Sequence, residues 1–224
     1  MTEEKPASAI VEEYLEAILN MTSERKKVHG ARLAERLLVS RPTVTATLQR
    51  MKRDGLIAAN RQKEISLTPK GVRLGVSIVR RHRLAERLLT DILKIPWSEA
   101  HQEACLLEHS ISEKVMERLY ETLGRPEYCP HGNPIPVDDV MPSLRGVPLD
   151  TVAPGQTVIV ERISEEATRL QEIMTYFEAA GIRPGARLKI GEVTDFAGTI
   201  KVKVGRTPIS LGIKAAALVW VIPE

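Results

Sequence analysis

Residues 82–89, HRLAERLL, and residues 98–115, SEAHQEACLLEHSISEKV, with a proline break at Pro96 between them, decide how the rest of the chain is read. Taken as a helix at roughly 100° per residue, the second segment places His101, Cys105, Glu108 and His109 at i, i+4, i+7 and i+8, on one face. His82 and Glu86 repeat the i, i+4 spacing on the first segment. Imidazole, thiolate and carboxylate together suit a borderline divalent transition metal and poorly suit calcium or magnesium. Taken singly, each residue has a plainer explanation. A His or Glu on an amphipathic helix is commonly a solvated face residue, and a lone Cys a small buried hydrophobe. Six of them on two neighbouring helices make a metal centre the expectation.

The chain has 224 residues, room for one large or two to three small domains with real cores. No segment approaches the roughly 18 consecutive apolar residues that span a bilayer, and the opening MTEEKPAS has no basic stretch followed by an apolar run. A cytoplasmic protein without a membrane partner is expected. Its two cysteines, Cys105 and Cys129, form no CxxC pair, so neither a disulfide framework nor a Cys-rich structural zinc site is expected. The net charge of +3 hides an asymmetry: residues 26–83 hold fifteen basic side chains against three acidic ones. About a quarter of the chain therefore carries a positive field of the size that binds nucleic acid.

Residues 10–21, IVEEYLEAILNM, read as an amphipathic helix whose Glu12, Glu13 and Glu16 would ordinarily be solvent-facing charges near its N-terminus. Residues 30–57 read as two short helices across a tight turn. Ser40 is placed to cap the second, Pro42 is tolerated in its first turn, and Asp54-Gly55 ends it. That is a helix-turn-helix. Its second helix offers Arg41, Thr43, Thr45, Ala46, Thr47, Gln49, Arg50 and Arg53 to a major groove, and Arg32 precedes it. Residues 56–67 read as a winged hairpin with Arg61 and Lys63 at its tip for phosphate contact.

Residues 72–93 are expected to form a long helix carrying His82 and Glu86, and residues 100–123 a second one, capped by Ser98. Leu106, Leu107, Ile111, Val115, Leu119 and Leu123 give the latter more apolar surface than a two-helix unit can hide, which points to a homodimer. Residues 124–154 are proline-rich and read as an extended connector, within which Cys129-Pro130-His131 presents two further ligand types. Residues 156–224 alternate strand-like runs with one helix that ends at Gly181, as in a small SH3-like barrel. The class is α+β.

With these residues in view, the chain resembles the diphtheria toxin repressor family of metal-dependent transcriptional regulators in its long form, over essentially its whole length. The segments RRHRLAERLLTDIL (80–93), HQEACLLEH (101–109) and HGNPIP (131–136) carry the resemblance. It implies a winged helix-turn-helix DNA-binding domain over residues 1–75. A helical dimerisation and metal-binding domain with a Pro-rich linker follows over 76–145, and an SH3-like, FeoA-like β-barrel over 146–224. It implies two metal positions per protomer. One is similar to a regulatory site and falls on Glu13, Cys105, Glu108 and His109, with Glu16 added as in manganese-type members. The other resembles an ancillary site and falls on His82, Glu86 and His101, with Cys129 and His131, and with Glu172 or Gln171 as a third-domain donor. Iron-type members have Met in place of Glu13 and manganese-type members an acid in place of Cys105, so Fe(II) and Mn(II) both stay open, with Co(II), Ni(II) and Zn(II) as in vitro substitutes. Ser40 and Pro42 match family positions at the groove, whereas Ala46 replaces a glutamine.

The reading is a repressor of metal-uptake or homeostasis genes that binds double-stranded palindromic operator DNA as a homodimer, has no small-molecule substrate, and uses metal as corepressor. Metal is expected to tie the first helix to the ligand helix and so select a spacing of two recognition helices about one DNA turn apart. The rivals are a metal hydrolase with an open coordination position and a DNA-binding protein whose cluster is structural.

Overall fold

The computed structural model describes residues 8–224; the first seven residues, which head the stretch read above for a signal peptide, lie outside the described part. The chain divides into two compact units. One holds the residues up to His82 with Glu108–Ser112 and Pro136–Ser143; the other holds Arg83–Leu107, Glu113–Ile135 and Leu144–Glu224. Among the described residues no helix is long and apolar enough to cross a membrane.

In the first unit α1 (Ala9–Ser23) buries Val11, Tyr14, Leu15, Ile18 and Met21, the apolar positions of its 3.6-residue period. Glu16 and Asn20 lie inside with them, so Glu16 is not the solvent-facing charge that its place near the helix start suggests. Helix α2 (Gly30–Leu37) ends on Leu38 in the left-handed region, and α3 (Arg41–Arg53) starts where the Ser40 hydroxyl accepts from the Thr43 N–H at 3.3 Å. Only Val44 and Met51 of α3 are fully buried, so its remaining faces stay available. The wing follows: β1 (Ile57–Ala59) pairs antiparallel with β2 (Ile65–Leu67), Ala58 opposite Ser66. Its tip is an Asx turn in which Asn60 Oδ1 accepts from the Gln62 and Glu64 N–H groups while Lys63 takes φ +58°.

Thr68 then caps α4 (Pro69–Arg87), its hydroxyl accepting from the Gly71 N–H and donating to Gly55 O. Proline at the first helical position is preorganised for the role. This helix begins in the first unit and ends in the second, where it widens into a π turn over Leu88–Ile92.

The expected continuous helix over 100–123 is broken. Helix α5 (Ala100–Leu107) gives way to a 3-10 turn at Glu108–Ser110, and α6 (Glu113–Thr122) restarts after Ser112. Serines on either side of Ile111 favour such a break, because their side chains compete for helical backbone groups. The Glu108 carbonyl accepts from the Ile111 N–H at 3.4 Å, within the turn, and from Arg81 Nη1 at 3.2 Å. Residues 124–135 are likewise not an extended connector. They form a closed loop in which Cys129 N–H donates to Asn133 O at 2.8 Å, Gly132 N–H to Cys129 O at 2.9 Å and Ile135 N–H to Glu127 O at 2.8 Å.

The C-terminal part of the second unit is one antiparallel sheet in the order β3-β8-β4-β5-β6-β7. The strands are β3 (Val147–Pro148), β4 (Thr157–Ile163), β5 (Arg187–Thr194), β6 (Thr199–Val204), β7 (Thr207–Gly212) and β8 (Val219–Pro223). Helix α7 (Gln171–Ala180) ends on left-handed Gly181 as expected, and α8 (Ile213–Ala216) joins the last two strands. Bulges at Val160/Arg162 and Ile190/Val193 increase the twist and curl the sheet around Val158, Val160, Phe177, Leu188, Ile190, Val202 and Val221.

One packing constraint is open to direct test. A Cβ added at Gly71 would lie 2.0 Å from the Leu56 carbonyl oxygen, a backbone atom that cannot rotate away. Gly71→Ala is expected to lose about 1–3 kcal/mol, the usual cost of overpacking, despite alanine's better helix propensity; urea unfolding measures it.

Candidate metal centres and nucleic-acid face

The helix-turn-helix leaves the sequence-derived contact set on the outside. Arg32, Ser40, Arg41, Pro42, Thr43, Thr45, Ala46, Arg50 and Arg53 are exposed, Thr47 is half-buried, and Arg61 and Lys63 stand exposed at the wing tip. Ser40 and Thr43 are tied to each other, their hydroxyl oxygens 2.8 Å apart, so the start of α3 is a rigid polar corner. Arg50 reaches Ser8 Oγ at 2.7 Å, and Arg32 donates to the Lys27 carbonyl. Short polar and basic side chains on an unburied helix can lie in a major groove, while a basic hairpin tip meets phosphate.

The break at Glu108 sends that residue and His109 into the first unit, where they meet α1. His109 Nδ1 lies 2.7 Å from Glu12 Oε2 and its Nε2 3.2 Å from Glu13 Oε1. Glu108 Oε1 is 3.3 Å from His109 Nε2, and Glu108 Oε2 is in hydrogen-bond contact with His82 Nδ1. Two overlapping triads result, Glu13, Glu108 and His109, and Glu16, His82 and Glu108, with ligand atoms in each within 4.8 Å of one another. Glu108 is fully buried and belongs to both. Arg81 offsets part of the negative charge through a 2.9 Å bond to Glu12. Burial disfavours a charge on His109, yet the bonds to Glu12 and Glu13 and the nearby Glu108 raise its pKa. Four glutamates converging at a largely buried point fit a divalent cation with oxygen and imidazole preference. Glu12 and Arg81 escaped the sequence reading. Glu12 reads locally like any surface acid near a helix start; its i, i+4 partner Glu16 is the one local hint that both lie on an inward stripe.

A second cluster lies wholly within the second unit. Glu86, Cys129 and His131 are all buried and bring their ligand atoms within 4.8 Å of one another. His131 Nδ1 is 3.1 Å and His101 Nδ1 3.4 Å from Glu86 Oε1. Burial by itself would lower the His131 pKa, but Glu86 and Cys129 outweigh it and hold it at about 10; burial first, and then Glu86, push the Cys129 thiol up. A carboxylate, a thiol and two imidazoles brought together in a buried place are the donor set of a transition-metal site, and an ion bound there displaces the proton from His131. Cys105 sits beside His101, Sγ to Nε2 3.7 Å, in this unit rather than with Glu13, Glu108 and His109. His82 falls in the first unit on Glu108. Gln171 and Glu172 are exposed on α7, and Glu172 belongs to neither cluster. The carboxylate that the C-terminal region does bring to α4 is Glu165, bonded to buried Arg83 at 2.7 Å. Nothing in its local sequence singled it out.

Three family models match in succession. The iron dependent repressor N-terminal DNA binding domain matches residues 7–65, the iron dependent repressor metal binding and dimerisation domain 68–137, and the FeoA domain 147–223. The iron-dependent repressor IdeR of Mycobacterium tuberculosis is 37% identical over 212 residues, 89% of this chain and 91% of the relative. The diphtheria toxin repressor of Corynebacterium diphtheriae is 37% identical over 188 residues, 80% and 83% of the two chains. A solved structure described as a manganese-dependent transcriptional repressor in complex with manganese superposes with a TM-score of 0.86 at 33% identity, covering 96% of this chain and 100% of that one. These relatives are repressors and not enzymes, which sets the hydrolase reading aside. On this identity and coverage, the chain belongs to the diphtheria toxin repressor family of metal-dependent transcriptional repressors.

Proposed function

We propose that this protein is a homodimeric, cytoplasmic repressor of metal-uptake or homeostasis genes. It takes Mn(II) or Fe(II) at two sites per protomer and binds palindromic double-stranded operator DNA. The observation that carries this is the meeting of α1 with the 108–112 turn. Glu12 and Glu13 are held against His109, while Glu16 and His82 converge on Glu108. The helix that supplies three of these carboxylates also packs into the core that supports α2, α3 and the wing. A group that fixes α1 therefore fixes the platform from which the DNA-reading residues project.

The first site takes Glu13, Glu16, His82, Glu108 and His109, with Glu12 and Arg81 orienting the His109 ring and α1. The second takes Glu86, His101, Cys129 and His131, with Cys105 at its margin. A bound divalent ion supplies the positive charge that lets these carboxylates stay together without protons. The first set is oxygen and imidazole alone and leans to Mn(II), whereas the second offers a thiolate and tolerates softer ions. The exposed apolar side chains Ile92, Leu93, Leu106, Leu107 and Val115 of the second unit supply surface for self-association. The functional division is 1–75 for DNA, 76–145 for dimerisation and metal, and 146–224 for the FeoA-like part.

Glu108→Gln keeps the volume and one oxygen but removes the shared charge. It is expected to cut the metal-dependent gain in DNA affinity at least tenfold, since even outer partners of a metal site cost roughly 10–100-fold. Gel shifts on a palindromic duplex selected from random sequence, run with chelator and with Mn(II), Fe(II), Co(II) or Zn(II), check this; equal metal response in the variant contradicts it. Lys63→Ala at the wing tip is expected to weaken binding uniformly across sequences and to lower the salt slope by about 1, as loss of one phosphate contact does. Fluorescence anisotropy across a salt series measures that slope.

A further inference from the structure

The second site depends on a loop that has no regular structure of its own. A ligand on a loop is placed only as well as the groups that hold the loop. Those groups are on strand β4. Ile163 N–H donates to His131 O at 2.8 Å, and Asn133 Nδ2 donates to Ile163 O at 3.0 Å, so one strand residue is bracketed by the loop on both sides. Gly132, at φ +84°, lies flat on the strand, where an added Cβ would meet Glu161 O at 2.3 Å and Arg162 Cα at 2.8 Å. Asn133 also closes the loop from within by accepting from Cys129 N–H.

Arg162 locks this arrangement. The bulge at Val160/Arg162 shifts the register of β4, and the Arg162 side chain is buried, 1% exposed, in a strand whose alternation would otherwise read as ordinary. Its guanidinium stacks 4.1 Å from the centroid of the Trp220 ring, and Nη1 donates to Asn133 Oδ1 at 3.3 Å. An apolar residue of similar volume would be no worse for stability at such a place, because desolvating a guanidinium is costly. What the cation adds is direction. With Oδ1 of Asn133 held by Arg162, its Nδ2 must face Ile163 O, and the carbonyls and amides of residues 129–133 are fixed in turn. From the other side, Trp97 Nε1 donates to Pro130 O at 2.9 Å, and the Trp97 carbonyl sits 3.0 Å from His131 Nε2, leaving Nδ1 toward Glu86.

We propose that Arg162 and Asn133 are positioning residues for the ion held by Glu86, Cys129 and His131. The C-terminal sheet thereby sets the affinity of that site through strand β4, by holding the loop that carries Cys129 and His131. The inference rests on the two-site reading above and assigns the FeoA-like part a task within it.

Co(II) titration of the full chain carrying Cys105→Ser, which leaves Cys129 as its one thiol, tests it, followed by the near-ultraviolet thiolate-to-cobalt absorption band, which adding Cys129→Ser must abolish. Arg162→Met, which keeps apolar length against Trp220, and Asn133→Ala are each expected to weaken Co(II) at the thiolate site about tenfold or more. The double variant should be little worse than either single one, as expected for residues acting as one unit. In a Cys129→Ser background, the remaining Co(II) affinity should be unmoved by Arg162→Met. Unchanged affinity and band in both folded single variants would overturn the proposal. So would an equal loss at the remaining site, which would mark a general loss of structure; if Arg162→Met does not fold, Asn133→Ala alone decides. Absence of the band from the chain carrying Cys105→Ser alone would instead remove the second site itself, and this inference with it.

Discussion

Everything in the first unit turns on a crowd of negative charge. Glu12, Glu13 and Glu16 from one helix and Glu108 from a turn nearly a hundred residues away share the space around His82 and His109. Two carboxylates about 4 Å apart repel by about 4 kcal/mol at an effective dielectric near 20, so such a gathering persists only with cations among its members. Arg81 provides one, bonding both Glu12 and the Glu108 carbonyl. The break between α5 and α6 and the length of α4 both follow from this need, since one delivers Glu108 and His109 and the other delivers Arg81 and His82.

The two clusters differ in chemistry and in the way they are built. The first is made largely by helices α1 and α4, whose i, i+3 and i+4 spacings set side chains on a shared face before any tertiary contact forms, with Glu108 and His109 added by a turn. The second is made by a helix and a loop, so its precision is borrowed from Trp97, Asn133 and the bulged strand that carries Arg162. The mixed signal in the sequence, Glu13 against Cys105, came from residues that the fold separates: Glu13 lies in the oxygen-rich cluster, and Cys105 beside His101 in the other unit.

Much of this was legible in the residues. The turn around Ser40, the helix end at Gly181, the basic stretch and the wing rest on local rules, and local rules survive folding. The face of metal-binding types was legible too, because helical spacing brought out His101, Cys105, Glu108 and His109. What was not legible depended on breaks in those rules. A helix written through Ser110 and Ser112 hid the 3-10 turn that separates Glu108 and His109 from Cys105. Proline density made 124–135 look like a tether, when Gly132 and Asn133 fold it onto a strand. Glu165 and Arg162 act through contacts about 30 to 80 residues away in sequence, a separation that no local pattern encodes, whereas Glu172, implied by the family resemblance alone, is exposed and belongs to neither cluster.

The central claim is that occupation of the α1 and Glu108–His109 cluster and the grip on DNA are one equilibrium. Linkage makes the two affinities change by the same factor. Isothermal titration of Mn(II) into the full chain, alone and saturated with a selected palindromic duplex, measures it most directly. The expected result is that the duplex tightens Mn(II) binding by the same factor by which Mn(II) tightens duplex binding. A Mn(II) affinity indifferent to the duplex would contradict the claim, whatever metals the clusters hold.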